Sequence, residues 1–296
     1  MTTTPTRTYA TLTSRGLQHG SLPMRLYHKA KKLGTWDPRE IDLTQDQRDW
    51  QGLPNESKER LRGLILSFQA GEEAVTVDLL PLIMTIAHEG RLEEELFLTT
   101  FLWEEAKHTE FFRRVLDEVL QEQGDLHEIR VRNNTRELFA NDLPTTMNRL
   151  LTDPSPQNQA QAAVLYNMIV EGVLAETGYY SFARLLSATR LMPGLLQGIQ
   201  LIKRDESRHI AYGVFLISRL VAQDPSLWPQ VEERMQSYFS TIERSQQDNE
   251  TPEDTRLYAR QQFEKRLARI AKARGQSLEQ INELAESDEE GAPESA

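Results

Sequence analysis

The chain has 296 residues, 39% hydrophobic and 27% charged, the balance of an ordinary globular protein long enough to bury a sizeable core. Its formal net charge is −11 and it has no long Lys/Arg block, which argues against nucleic acid or an anionic membrane as partner. It has no cysteine, so disulfides, thiolate metal sites and cysteine nucleophiles are excluded, and no uncharged apolar run reaches the roughly 18 residues that would span a bilayer.

The opening residues, Met1-Thr-Thr-Thr-Pro5, have neither the basic nor the apolar region of a secretory signal, so the expectation is a cytoplasmic protein with no transmembrane segment. Residues 1–43 read as an irregular arm, because Gly16, Gly20, Pro23, Gly34 and Pro38 break any long periodicity. Thr44, with Gln47 three residues on, reads as the cap of a short helix that ends by Gly52-Leu53-Pro54. Four long helical segments follow. The first runs from about Asn55 to His88, with a kink expected near Pro81 and a stop at Gly90. The second runs from about Leu92 to Gln123, ahead of Gly124. The third begins before Ala162 and ends near Ala188. The fourth runs from about Pro193 to Gln223 and closes at Asp224-Pro225. Two more helical stretches are expected, from Leu227 into the 240s and from about Glu253 to Arg274. There is no strand or hairpin signal. Residues 276–296 form an acidic stretch expected to be disordered, leaving a single all-α domain over residues 44–275.

Chemistry enters where ionisable residues fall inside apolar stripes. In the second long segment Leu98, Phe101, Glu105, His108, Phe112, Val115 and Val119 follow the spacing of one helix face. In the fourth, Leu195, Ile199, Ile202, Glu206, His209, Gly213, Leu216 and Leu220 do the same. Glu72 interrupts the stripe Leu61, Leu64, Phe68, Val75, Leu79, and Glu171 the less regular stripe Val164, Met168, Ala175, Gly178. An unpaired buried carboxylate is costly, and four helices each turning one inward call for a shared cation. Residues three apart in a helix lie about 60° apart on one face, so each Glu-x-x-His can present both side chains to one ion. Glu72 to Glu105 is 33 residues and Glu171 to Glu206 is 35, so the chain offers the same helix hairpin twice. Two single-Glu helices plus two Glu-x-x-His helices are the layout of dinuclear carboxylate bundles, and an oxygen-rich set favours iron or manganese. A helical bundle with buried ion pairs and no metal is the competing reading. The remaining histidines, His19, His28, His88 and His127, read as surface or packing residues, and Asp205, next to Glu206, as an acceptor for His108.

The set Glu72, Glu105-Ala-Lys-His108, Glu171 and Glu206-Ser-Arg-His209, with Val75 and Tyr166, resembles the small subunit of ribonucleotide reductase, and most closely the ligand-binding oxidases derived from it. The resemblance covers roughly residues 55–220. It implies a ferritin-like bundle with one manganese and one iron, dioxygen activation for two-electron oxidation of a C–H bond, a bound long-chain fatty acid and a homodimer. It assigns Glu72, Glu105 and His108 to the manganese side and Glu171, Glu206 and His209 to the iron side, with Glu105 bridging. It also implies an ether cross-link between Val75 and Tyr166. Where tyrosyl-radical reductase subunits carry a Tyr, four residues after the first His ligand, this chain has Phe112, and its last Tyr is Tyr258. Both features point away from a reductase subunit, although a manganese–iron reductase class also has Phe there. A two-iron centre, as in a desaturase or hydroxylase, is the other alternative.

Overall fold

Proline and glycine divide the chain into helices much as their positions suggest. The computed structural model describes residues 9–122, 137–249 and 251–282, and no strand occurs among them. The helices are α1 (Leu22–Leu33), α2 (Thr44–Gly52), α3 (Asn55–Asp78), α4 (Leu80–His88), α5 (Leu92–Arg114), α6 (Leu143–Asn148), α7 (Pro156–Ala163), α8 (Glu176–Thr189), α9 (Pro193–Gln223), α10 (Trp228–Asp248) and α11 (Glu253–Lys272). Pro23, Pro81, Pro193 and Pro229 each stand in the first turn of a helix, where the missing N–H costs nothing. The expected 55–88 segment is divided at Leu79 into α3 and α4, two residues before Pro81. Three stretches among the described residues are π-helical: Val115–Leu120 extends α5 until Gln121 turns left-handed, Leu138–Asp142 leads into α6, and Val164–Ala175 joins α7 to α8 as one long helix.

Three expectations need correction. The stretch 1–43 is not wholly irregular, because α1 forms inside it and buries Leu22, Met24, Leu26 and Ala30. Its spacing is that of an amphipathic helix, which the flanking glycines and prolines delimit rather than disrupt. Thr44 is the first residue of α2 and not its cap; the Thr44 N–H donates instead to Asp42 Oδ1 at 2.8 Å. The tail expected to be disordered packs at its start, where Ile281 is buried and the Leu22 N–H donates to Asn282 Oδ1 at 3.0 Å. Residues 283–296, His127 and the expected stop at Gln123-Gly124 lie outside the described residues. No helix among those described is long and apolar enough to cross a membrane.

Helix α3 packs along α5, and the 156–189 helix along α9; α1 lies against α5 and α9, while α10 and α11 cover the π-helical stretch. The apolar interior forms two clusters. One contains Val75, Phe101, Met168 and Tyr212, the other Ile65, Phe111, Tyr179 and Ile202. Each of the four site-bearing helices passes from one cluster to the other. The chain order makes α3 antiparallel to α5, and the 156–189 helix antiparallel to α9. In the layer between the clusters all four helices bury their ionisable residues.

Close packing shows at Gly198 on α9, where an added Cβ would sit 2.0 Å from the Phe111 ring, whereas around Gly63 on exposed α3 there is nothing within 4 Å. Gly198→Ala should therefore cost about 1–3 kcal/mol through overpacking, and Gly63→Ala should gain about 0.5–1 kcal/mol through helix propensity. Urea unfolding of both variants checks this; equal effects would contradict the packing described.

Candidate metal centre

The centre forms where the two Glu-x-x-His helices face each other. On α5, Glu105 Oε2 is 3.6 Å from His108 Nδ1, while Glu105 Oε1 is 2.9 Å from His209 Nδ1 across the gap. On α9, Glu206 Oε2 is 3.6 Å from His209 Nδ1, while Glu206 Oε1 is 3.4 Å from His108 Nδ1. Glu72 Oε2 of α3 reaches His108 Nδ1 at 3.4 Å. The structure thus brings together two groups whose ligand atoms lie within 4.8 Å of one another: Glu72, Glu105, His108 and Glu206, and Glu105, Glu171, Glu206 and His209. All six residues are buried. The resemblance implies a bridging Glu105, and in the structure both Glu105 and Glu206 belong to both groups. Each Glu precedes its own His by three residues on facing helices, so each falls between both imidazoles.

The donor atoms fit a cation. Both oxygens of Glu105, one each of Glu171 and Glu206, and Nδ1 of both histidines are buried without a hydrogen-bond partner. Unpartnered buried polar atoms are rare, and here they converge. Burial pushes the Glu72 carboxyl up to about 7 despite the opposing pull of the nearby His108 imidazole. Burial, and then the charge of Glu206, raises Glu171 well above the carboxylate range. Burial also acts on Glu105, but His108 and His209 together outweigh it and hold this carboxyl low. Carboxylates crowded out of water in this way favour a multivalent cation over one another's company.

The far sides of the imidazoles are held by acids. His108 Nε2 lies 3.4 Å from Asp205 Oδ2, the residue sequence reasoning named for it. His209 Nε2 lies 2.9 Å from Glu104 Oε2, which that reasoning missed. Arg208 ties the two acids together, with Nη2 at 2.5 Å from Asp205 Oδ1 and also bonded to Glu104. Lys107 Nζ adds a contact of 3.0 Å to Asp205, and the Trp36 indole N–H donates to the same carboxylate at 2.8 Å. The signal for Glu104 was present, since Glu104-Glu105-x-x-His108 and Asp205-Glu206-x-x-His209 are one pattern. The residue before each inner Glu holds the histidine of the other helix. Trp36 had no such signal, because it lies in the arm to which sequence assigned no role.

The remaining candidates also lie close by. Tyr166 Oη donates to the Val75 carbonyl at 2.8 Å, and both residues are buried. Phe112 is fully buried and stacks on Phe68 with ring centroids 5.3 Å apart. Tyr179, another residue that sequence reasoning missed, donates to Glu72 and stacks on Phe68. Outside the centre, His19 and His28 stack on each other, and His88 closes α4.

Residues 24–260 match the profile of the ribonucleotide reductase small chain. This chain belongs to that family. Among solved structures it is similar to R2-like ligand-binding oxidases. One is the oxidase from Sulfolobus acidocaldarius, 38% identical, with 93% of this chain and 98% of that chain covered and a TM-score of 0.85. Another is a glycine-to-phenylalanine variant with an anaerobically reconstituted Mn/Fe cofactor, 38% identical over 90% of this chain and 99% of that one, TM-score 0.84. A tyrosine-to-phenylalanine variant with an aerobically reconstituted Mn/Fe cofactor is 38% identical over 90% and 98%, TM-score 0.80. With this likeness along nearly its whole length, the chain falls in the R2-like ligand-binding oxidase branch of the family, and it is an oxidoreductase.

The crossed acids make separable predictions. Asp205→Asn should weaken metal binding at the His108 position, and Glu104→Gln at the His209 position, each by about 10–100-fold. Anaerobic manganese titration followed by electron paramagnetic resonance would resolve the two. Losses at the opposite positions would contradict the crossed arrangement.

Proposed function

We propose that this protein is a dinuclear manganese/iron oxidase in which Glu72, Glu105, His108, Glu171, Glu206 and His209 hold one ion of each metal. The observation that carries this reading is the convergence of unpartnered carboxylate and imidazole atoms from four helices on one buried volume. The resemblance puts manganese with Glu72 and His108 and iron with Glu171 and His209. When bound, the metal pair would supply reduction of dioxygen coupled to two-electron oxidation of a nearby C–H bond.

The protein's own residues set where that oxidation falls. Phe101 stacks on the His209 ring at 3.6 Å between centroids, and Phe68 and Phe112 wall the Glu72 side, keeping water from the cluster. Asp205 and Glu104 accept from the outer imidazole nitrogens, so both Nδ1 atoms face inward as donors of electron pairs. Tyr166 Oη, held on the Val75 carbonyl, brings a phenol oxygen to residue 75. That placement supports an ether cross-link. A Val75 C–H and the Tyr166 O–H break, a C–O bond forms, and the two electrons and two protons go to dioxygen. The same reading takes a long-chain fatty acid or similar apolar molecule as ligand, in keeping with relatives described as ligand-binding. It also takes the enzyme to be a cytoplasmic homodimer. The exposed strip Val77, Leu80 and Met84 across the α3–α4 junction would suit a second copy.

Protein produced with both metals available should contain about two metal ions per chain, manganese and iron in near-equal amounts. After exposure to dioxygen its intact mass should be lower by two hydrogens, a loss that Tyr166→Phe abolishes. Organic extraction should release an apolar acid. Glu105→Ala and His209→Ala should abolish oxygen consumption by the reduced protein. Iron alone would return the reading to a two-iron desaturase or hydroxylase, and full oxygen use in both alanine variants would end the ligand assignment.

A further inference from the structure

Arg266 is a buried guanidinium that the proposed chemistry does not use. It stands on α11, 8% exposed, and reaches the helix that carries Glu171. Its Nη1 donates to the Gly172 carbonyl, and its Nη2 to Glu176 Oε2 at 2.5 Å. Both acceptors belong to the end of the π-helical stretch. There the Glu176 N–H bonds to the carbonyls of Glu171 and Val173 and passes over that of Gly172, its partner in an ordinary α-helix. A buried carbonyl that loses its ordinary α-helical partner benefits from a further donor, and Arg266 Nη1 supplies one.

Glycine is required at this point. A Cβ on residue 172 would lie 3.1 Å from Arg266 Nη1 and 2.9 Å from the Asn167 carbonyl. Asn167, five residues earlier, is also the residue whose Nδ2 donates to Glu171 Oε2 at 3.0 Å. Arg266, Gly172, Asn167 and Glu171 are therefore one packed unit. The register of this helix also has to satisfy Tyr166 at Val75 and Tyr179 at Glu72. Removing even one extra residue of winding would rotate one part of the helix against the other by about 100°, and Tyr166, Glu171 and Tyr179 could not all face the centre.

We propose that Arg266 is a positioning residue for the Glu171 side of the metal centre: by holding the Gly172 carbonyl and Glu176 it locks the π register that turns Glu171 inward. The inference rests on Glu171 being a ligand. It gives the C-terminal helix a part in setting the second metal position, although no residue of α11 is in either ligand group.

The test is an anaerobic manganese(II) titration of the full chain, read by electron paramagnetic resonance, with thermal melting of the metal-free protein alongside. Wild type should bind two ions, and Glu171→Ala should weaken one position. Arg266→Gln should weaken that same position by about tenfold or more, leaving the other within about threefold of wild type. Arg266→Lys should fall between, because one ammonium cannot reproduce the planar fork that spans both acceptors. Gly172→Ala should match Arg266→Gln, and the double variant should be no weaker than either alone. Arg260→Gln, on the same helix as Arg266, removes only a surface pair with Glu243 of α10 and should bind as wild type. Unchanged binding in Arg266→Gln, or equal weakening of both positions with a lowered melting temperature, would overturn the proposal. Wild-type binding in Glu171→Ala would show instead that the ligand assignment itself fails, and the proposal with it.

Discussion

The structure depends on one constraint: four carboxylates and two imidazoles must sit in the middle of a bundle from which water is excluded. Each of these groups would be costly there by itself. Together they are tolerable because they neutralise one another in part and present their remaining lone pairs to a common point. The rest of the interior is arranged around this layer. The apolar core is split into two clusters, and every site-bearing helix crosses from one to the other.

The outer acids show how the layer is kept in order. Asp205 and Glu104 fix the imidazoles from behind, and Arg208 binds both acids, so that the two halves of the centre are joined across the helix pair. Joined in this way, the charged groups hold one another in place where a lone one would be costly. Elements that supply no inner ligand are drawn in for the same reason. The arm contributes Trp36 to Asp205 and the Gly34 carbonyl to Lys107, and α11 contributes Arg266 to the helix of Glu171. The oxidase relatives carry Mn/Fe cofactors, and the inner oxygen-rich set with its paired imidazoles is of the type such ions take.

What was legible in the sequence was whatever repeats along one helix. The spacing of Glu105 and His108 within Leu98–Val119, its copy around Glu206 and His209, and the glycines and prolines between segments gave the helical bundle and the Glu-x-x-His pairs. Glu171 was harder to read. Ten consecutive residues, Val164–Val173, are buried, so its helix has no polar face to contrast with an apolar one, and its π-helical winding departs from the 3.6-residue period being sought. The arm was misread because proline and glycine mark boundaries as readily as they mark irregularity, and α1 lies between two of them.

Sequence by itself therefore determined the helical class, the doubled hairpin and which acids and imidazoles face inward, because these follow from local periodicity and from the cost of burying charge. Only the tertiary structure decided that Glu206 lies between both histidines, that Glu104 serves the histidine of the opposite helix, and that Trp36 and Arg266 support the centre from distant parts of the chain. Each of these is a contact between residues roughly 90 or more positions apart. Such contacts depend on how helices cross and wind against one another, which no spacing within a single helix encodes.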